Sequence, residues 1–220
     1  MKTKILILAA MSFTIIGFAQ KNEIKAADKA LKAGDTPGAK SALEAAAGVI
    51  SAADEKVQAQ YHFLRGKIYA DLAKKGDNSA FDTAISSFNK ADEIEVASGK
   101  AKYGKEIKEH LVAIAGDLVN SAVEDNKNKK FKEAGEKLYM SYKLSPIDTL
   151  YLYYAASSAV NGGEYKQALG YYDELKEVGY DGGGMEYKAT NVATGEVEVM
   201  DKVQRDLMVK SGTYTDPLDD

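Results

Sequence analysis

The chain has 220 residues, a formal net charge of −4, no cysteine, no tryptophan and fourteen tyrosines. Without cysteine there is no disulfide framework, no thiolate catalysis, no lipid-modified N-terminal cysteine and no zinc site of the thiolate kind. A mildly acidic balance argues against nucleic acid as a partner, because neutralising phosphates takes a basic surface.

The first element is a leader. Lys2 and Lys4 form a basic head, and residues 5–18, ILILAAMSFTIIGF, form an apolar run too short to span a bilayer comfortably. Gly17 and Ala19 place small residues at −3 and −1 of a cleavage after Ala19. This is the pattern of a secretory signal peptide. An uncleaved anchor is disfavoured because polar KNEIK follows directly. The expectation is a leader over 1–19, loss of two lysines with it, and a mature chain that is periplasmic or secreted and not inserted in the membrane.

A spacing then recurs along the chain: a small residue, a large one four later, and another core-type residue three after that. It runs Ala39, Leu43, Ala46; then Ala84, Phe88, Ala91; then Ala134, Leu138, Ser141; and last Ala168, Tyr172, Leu175. Steps of four and three put each trio on one face of a helix. Upstream of each lies a second helical pattern carrying a small residue: Ala27, Gly66, Ala122 and Ala156. Polar turns separate the members of each pair, KAGDTPG, KKGDNSA, NKNKK and NGGEY. Thr36–Pro37 and Asp148–Thr149 read as helix starts capped by oxygen side chains, Pro37 sits where a missing N–H does no harm, and Pro146 ends the helix before it. Gly162 and Gly163 supply a turn, since glycine accepts positive φ. Ala156 and Ala168 let two helices approach closely, and Tyr172 with Leu175 is expected to fill the gap to the neighbouring pair.

The interval from Ala134 to Ala168 is 34 residues; those from Ala84 to Ala134 and from Ala39 to Ala84 are 50 and 45, the excess being insertions in helices and loops. A 34-residue helix-turn-helix period with these small and aromatic positions resembles the tetratricopeptide repeat. The resemblance covers about residues 22–180, best at 149–180 and next best at 116–146. The first copy is alanine-rich and lacks the aromatics; the second has a longer turn. The fold this implies is all-α: a right-handed α-solenoid of about four helix-turn-helix repeats over residues 20–180. One helix pair cannot bury its apolar face alone, so stacking makes the core.

After Gly179 the helical period stops. Glycines 182–184 read as a flexible joint. Met185–Asn191 and Glu196–Met200 cluster β-favouring residues around the turn VATG and predict a β-hairpin. A short amphipathic helix over about 201–210 follows, with Val203, Leu207 and Val209 apolar, and then SGTYTDPLDD reads as loop. The 181–220 appendage either caps the stack or precedes further repeats; both readings stay open.

No catalytic constellation stands out. His62 and His110 are each alone on a helical segment and read as surface or partly packed residues. There is no G-x-x-x-x-G-K-[ST] and no G-x-S-x-G, and GGGM lacks the following helix with Lys-Ser/Thr that a phosphate loop needs. Asp125 and Glu136 stand eleven apart like the ends of a calcium loop, but Lys127 and Lys129 occupy positions that must give oxygen. NKNKK is read instead as a solvated turn. Neither a metal nor a cofactor is expected.

The resemblance implies a concave groove lined by the first helix of each pair. The matching positions are Phe63 and Lys67, then Val119, Val123 and Asn126, then Tyr153, Ser157, Val160 and Asn161. That mildly apolar strip suits an extended peptide or a partner helix, with amides holding backbone and Tyr153 as anchor. Some family members clamp a terminal carboxylate with paired lysine and asparagine. Val123 stands one turn before Asn126, and Ser157 and Tyr153 stand before Asn161, so that clamp is absent. The expectation is a non-enzymatic protein–protein interaction scaffold of the bacterial cell envelope. The alternative is an envelope polymer (glycan)-binding module, which needs Tyr151, Tyr153, Tyr154, Tyr171 and Tyr172 to form an exposed coplanar row.

Overall fold

The computed structural model describes residues 21–180, 182, 187–200 and 202–219. The expected leader, 1–19, and most of the glycine joint lie outside the described residues.

Four helix pairs follow one another. The first pair is α1, helical over 21–32, and α2, Thr36–Ala47. Ile24 and Ala27 face inward while Lys21, Lys25 and Lys29 face water. The cap of α2 comes one residue earlier than expected: Asp35, not Thr36, accepts from Gly38 N at 2.9 Å, with Pro37 in the first turn. Thr36 is buried and its hydroxyl serves the next pair, donating to Asp71 and accepting from Lys75 Nζ at 2.7 Å.

A 3-10 turn, Ile50–Ala52, leads to α3, Glu55–Lys74, which Asp54 caps by accepting from Val57 N at 3.0 Å. Its partner α4 spans Ala80–Ser98 and stops at Gly99, whose φ of 66° is left-handed. The third pair is α5, Gly104–Lys127, with α6, Phe131–Leu144. The fourth is α7, Thr149–Asn161, with α8, Tyr165–Glu177. The long steps between copies are thus carried by the lengths of α3, α4 and α5 and by the loops before α3 and α5. Of the two turn glycines, only Gly163 uses positive φ, at 77°. Gly162 is needed for closeness: a Cβ there would lie 3.2 Å from Cβ of Phe131.

The buried side chains form three clusters in chain order, over α1–α3, over α3–α5 and over α5–α8. Tyr69 and Leu72 of α3 pack against both of the first two. Each pair therefore contacts its neighbours in sequence, and the architecture is an α-solenoid. Eleven of the twelve recurring positions are buried, from Ala39 to Leu175. Tyr172 is the exception and is exposed; Tyr171 points inward instead and stacks on Tyr139 of α6 at 4.5 Å. The position of Tyr172 is buried only when a further helix lies on it, and none does so among the described residues.

The C-terminal region is more ordered by strand pairing than its sequence suggests. The expected hairpin is β1, Tyr187–Asn191, with β2, Val197–Met200. Asn191 Oδ1 accepts from Ala193 N at 3.0 Å and starts the turn, and Gly195 closes it at φ 72°. Helix α9 spans Lys202–Lys210. Of its expected apolar residues, Val209 is half-buried but Leu207 is 63% exposed, and Arg205 is buried over the Tyr187 ring at 5.2 Å and donates to the Leu218 carbonyl. The segment read as loop is strand β3, Tyr214–Asp219, giving the sheet order β2-β1-β3. Pro217 and the left-handed Asp216 disguise it, but β3 is an edge strand with a register shift, where both are tolerated.

Candidate functional site

The first helices of the last two pairs, α5 and α7, border a recess of about 340 Å³. Val119, Val123 and Asn126 come from α5; Tyr151, Tyr154, Ser157, Ser158 and Asn161 come from α7; Phe131 and Leu138 of α6 complete the lining. Steps of three and four along each helix bring these residues to one face. The two walls are joined where Ser158 Oγ donates to Asn126 Oδ1 at 3.2 Å. No Asp, Glu, Lys or Arg contributes to the lining. Such a recess offers apolar contact, hydroxyls and amides, and suits a neutral side chain next to backbone that the amides can bond.

The structure brings together five of the nine residues the sequence singled out: Val119, Val123, Asn126, Ser157 and Asn161. Phe63 is not a groove residue. It is buried, stacked on Tyr103 at 4.3 Å and tilted against Phe88 at 6.1 Å. Lys67 is half-buried over the Phe63 ring and bonded to Glu106 at 2.8 Å, so it ties α3 to α5. That bond is the leading cause that holds the Glu106 carboxyl below its ordinary range. Tyr153 and Val160 are exposed on α7 but outside the recess, with Tyr153 set against Tyr154 and Tyr180, each at 5.8 Å. Tyr154, Tyr151, Phe131, Leu138 and Ser158 were missed. Stepping back from Asn161 by three or four residues reaches 158 or 157 and then 155, 154 or 153, so spacing alone does not separate Tyr154 from Tyr153; the packing of α7 against α5 does.

The tyrosines do not form a coplanar row. Tyr171 is buried, Tyr151 is half-buried and the rings of Tyr153 and Tyr154 are tilted by 53°. That arrangement lends no support to stacking along a sugar chain.

Both histidines and several tyrosines and carboxylates outside the recess are engaged in packing. His110 of α5 lies flat on Phe88 of α4 at 5.1 Å, and its Nε2 is buried, 3.6 Å from Glu106 Oε1. Burial, and then the Lys67 charge, lower the His110 pKa. Burial also lowers that of His62, which meets the Tyr61 ring edge-on. Tyr139, desolvated and bonded to Glu174, is pushed up to about 12. Asp125, an end of the discarded calcium pattern, is buried and paired with Lys137, which also donates to Ser121 Oγ at 2.8 Å. Among the described residues no three or more His, Asp or Glu side chains gather as a metal site, and no helix is long and apolar enough to cross a membrane.

No family model and no curated protein matches the chain. Solved structures do. A crystal structure of MamA protein is 13% identical over 75% of this chain and 97% of its own, with a TM-score of 0.27. MamA 41-end from Desulfovibrio magneticus RS-1 is 16% identical over 76% of this chain and 99% of its own, with a TM-score of 0.28. A double mutant of the RS-1 protein gives the same values. Likeness at this level bears on nothing that the chain binds.

Proposed function

We propose that the chain is a non-enzymatic protein-interaction scaffold of the bacterial cell envelope that takes a peptide segment or partner helix between α5 and α7. The uncharged recess carries this reading. Val119, Val123 and Leu138 give it an apolar floor, Tyr154 a wall, and Asn126 and Asn161 one end. A solenoid presents such a surface preformed, so binding does not require the chain to fold around its partner. The acidic balance of the chain favours protein over nucleic acid as partner. Export rests on the leader pattern of residues 1–19, with cleavage after Ala19.

The test is retention of proteins from an envelope extract by the tagged chain and by a Val123→Glu/Asn161→Ala variant. The expected result is a small set of proteins held by the parent and lost by the variant. Retention of the same set by both would place the contact on another face. A turnover activity abolished by one polar substitution would overturn the non-enzymatic reading. Fractionation of cells expressing the full chain, with N-terminal sequencing of the product, tests export: a chain beginning at Gln20 is expected, and an intact Met1 in the cytoplasm contradicts it.

A further inference from the structure

The second helix of each pair carries an equivalent face. On α2 it is Thr36, Lys40 and Leu43; on α4, Phe81, Ile85 and Phe88; on α6, Phe131, Gly135 and Leu138; on α8, Tyr165, Leu169 and Tyr172. In the first three the next pair covers it. Lys40 sits over the Tyr69 ring of α3, Phe88 lies on His110 of α5, and a Cβ on Gly135 would be 3.1 Å from the Ala155 carbonyl of α7. On α8 no helix among the described residues covers the face: Tyr165 is 70% exposed, Leu169 62% and Tyr172 42%. One helix face is thus an interface three times and, among the described residues, uncovered the fourth, where it is apolar and aromatic.

We propose that a second copy of this chain covers it, with two α8 helices packed antiparallel about a two-fold axis. At about 100° per residue, Lys166, Asp173 and Glu177 fall together on one flank of the stripe. None of the three has an ion-pair partner among the described residues. The flank is basic toward the helix start and acidic toward its end. Antiparallel pairing about a two-fold axis brings like flanks together in opposite directions. Lys166 of each copy then faces Asp173 and Glu177 of the other, and Lys176 reaches the other copy's Tyr165 ring. In a parallel pair about a two-fold axis that flank would face the opposite flank of the other copy, which carries Ala168, Tyr171 and Leu175 and offers Lys166 no carboxylate. Head-to-tail stacking lacks a match, because the exposed residues of α1 include Lys21, Asn22, Lys25 and Lys29. A helix of 13 residues is about 20 Å long. One such face falls short of the roughly 800 Å² per partner of a standard stable interface, so the dimer is weak and its population follows concentration.

The test is the solution mass, by light scattering and sedimentation equilibrium, of the product purified after expression of the full chain, over about a hundredfold range of concentration. The mass is expected to rise from monomer toward dimer. Leu169→Lys is expected to hold it at monomer. Lys166→Glu is expected to weaken association at low salt, and adding Asp173→Lys and Glu177→Lys to that variant to restore it. Circular dichroism melts of each variant separate lost association from lost folding. A monomer throughout the range, with the face left to another protein's helix or to residues 1–19, overturns the proposal. So does a dimer indifferent to Leu169→Lys, or one that the combined charge reversal does not rescue.

Discussion

Gly66 of α3 faces the ring of Phe88 of α4 so closely that a Cβ on Gly66 would lie 2.6 Å from the ring edge, with three ring atoms within 2.8 Å. Phe88 is fully buried and pinned on its other side by His110, so the ring has nowhere to go. Gly66→Ala would gain up to about 1 kcal/mol of helix propensity. Overpacking outweighs it, and a net loss of about 1–2 kcal/mol is expected from urea or thermal unfolding. Phe88→Leu in the Gly66→Ala background should recover part of that loss, because it removes the opposing ring. A Gly66→Ala variant as stable as the parent would show that this contact is looser than described.

Glu95, near the end of α4, is buried and accepts backbone N–H bonds from Lys102 at 3.0 Å, Tyr103 at 2.8 Å and Gly104 at 3.1 Å. It caps α5 from the neighbouring helix, where the helix dipole also favours a negative charge. Glu95→Ala would strand those donors, and a loss of about 2 kcal/mol or more is expected. Amide exchange should quicken first at Tyr103 and Gly104. Unchanged exchange there would contradict the capping role.

Asp125 of α5 and Lys137 of α6 form a pair with only 10% and 12% of their side chains exposed. Removing one partner leaves a buried charge alone. Asp125→Ala or Lys137→Met is therefore expected to cost about 3 kcal/mol or more. The double change Asp125→Leu/Lys137→Met should cost far less than the two singles summed. Additive losses would show that the charges do not act as a pair.

Both histidines set a pH dependence whose sign follows from their burial. In the folded chain His62 and His110 hold their protons more weakly than in the unfolded chain, first through desolvation. Lys67 adds to this at His110 while Glu106 opposes it; Arg65 and Lys90 add to it at His62 while Glu93 opposes it. As pH falls below about 6.5, the unfolded chain takes up protons that the folded chain refuses. Stability present above that value is lost as pH falls from it toward the lower folded pKa values. Asp54, Asp71 and Glu106 have lowered pKa values and stay ionised there. The chain should be less stable at about pH 5.5 than at about pH 7.5, and His62→Gln/His110→Phe should flatten the difference. A slope unchanged by that variant would assign it to other groups.

The repeat was legible because its signals are local. Ala39, Ala84, Ala134 and Ala168 recur at helical spacing with large partners, and the polar turns between helices fall where the structure ends one helix and begins the next. What stayed hidden depends on neighbours distant in sequence. Glu95 looks like an ordinary surface residue of α4 until α5 is placed beside it. Tyr172 matches the buried Leu138 one repeat earlier, yet it is exposed because no helix among the described residues packs on it. Strand β3 becomes visible only through its partner β1, since Asp216 and Pro217 argue against a strand when read alone. Of the groove residues expected from the sequence, those on α5 line the recess, whereas on α7 the expected strip begins at Tyr153 and the lining residue is its neighbour Tyr154.

Occupancy of the recess between α5 and α7 by a protein partner can be read by site-specific photo-crosslinking in living cells. A photoreactive residue is placed at Val123, inside the recess, or at Val96, exposed on α4. A discrete adduct with a defined protein is expected from Val123 and none from Val96, with the Val123 adduct lost when Asn161→Ala is added. Equal labelling from both positions, or no protein adduct from Val123 in cells where the chain is abundant, would contradict it.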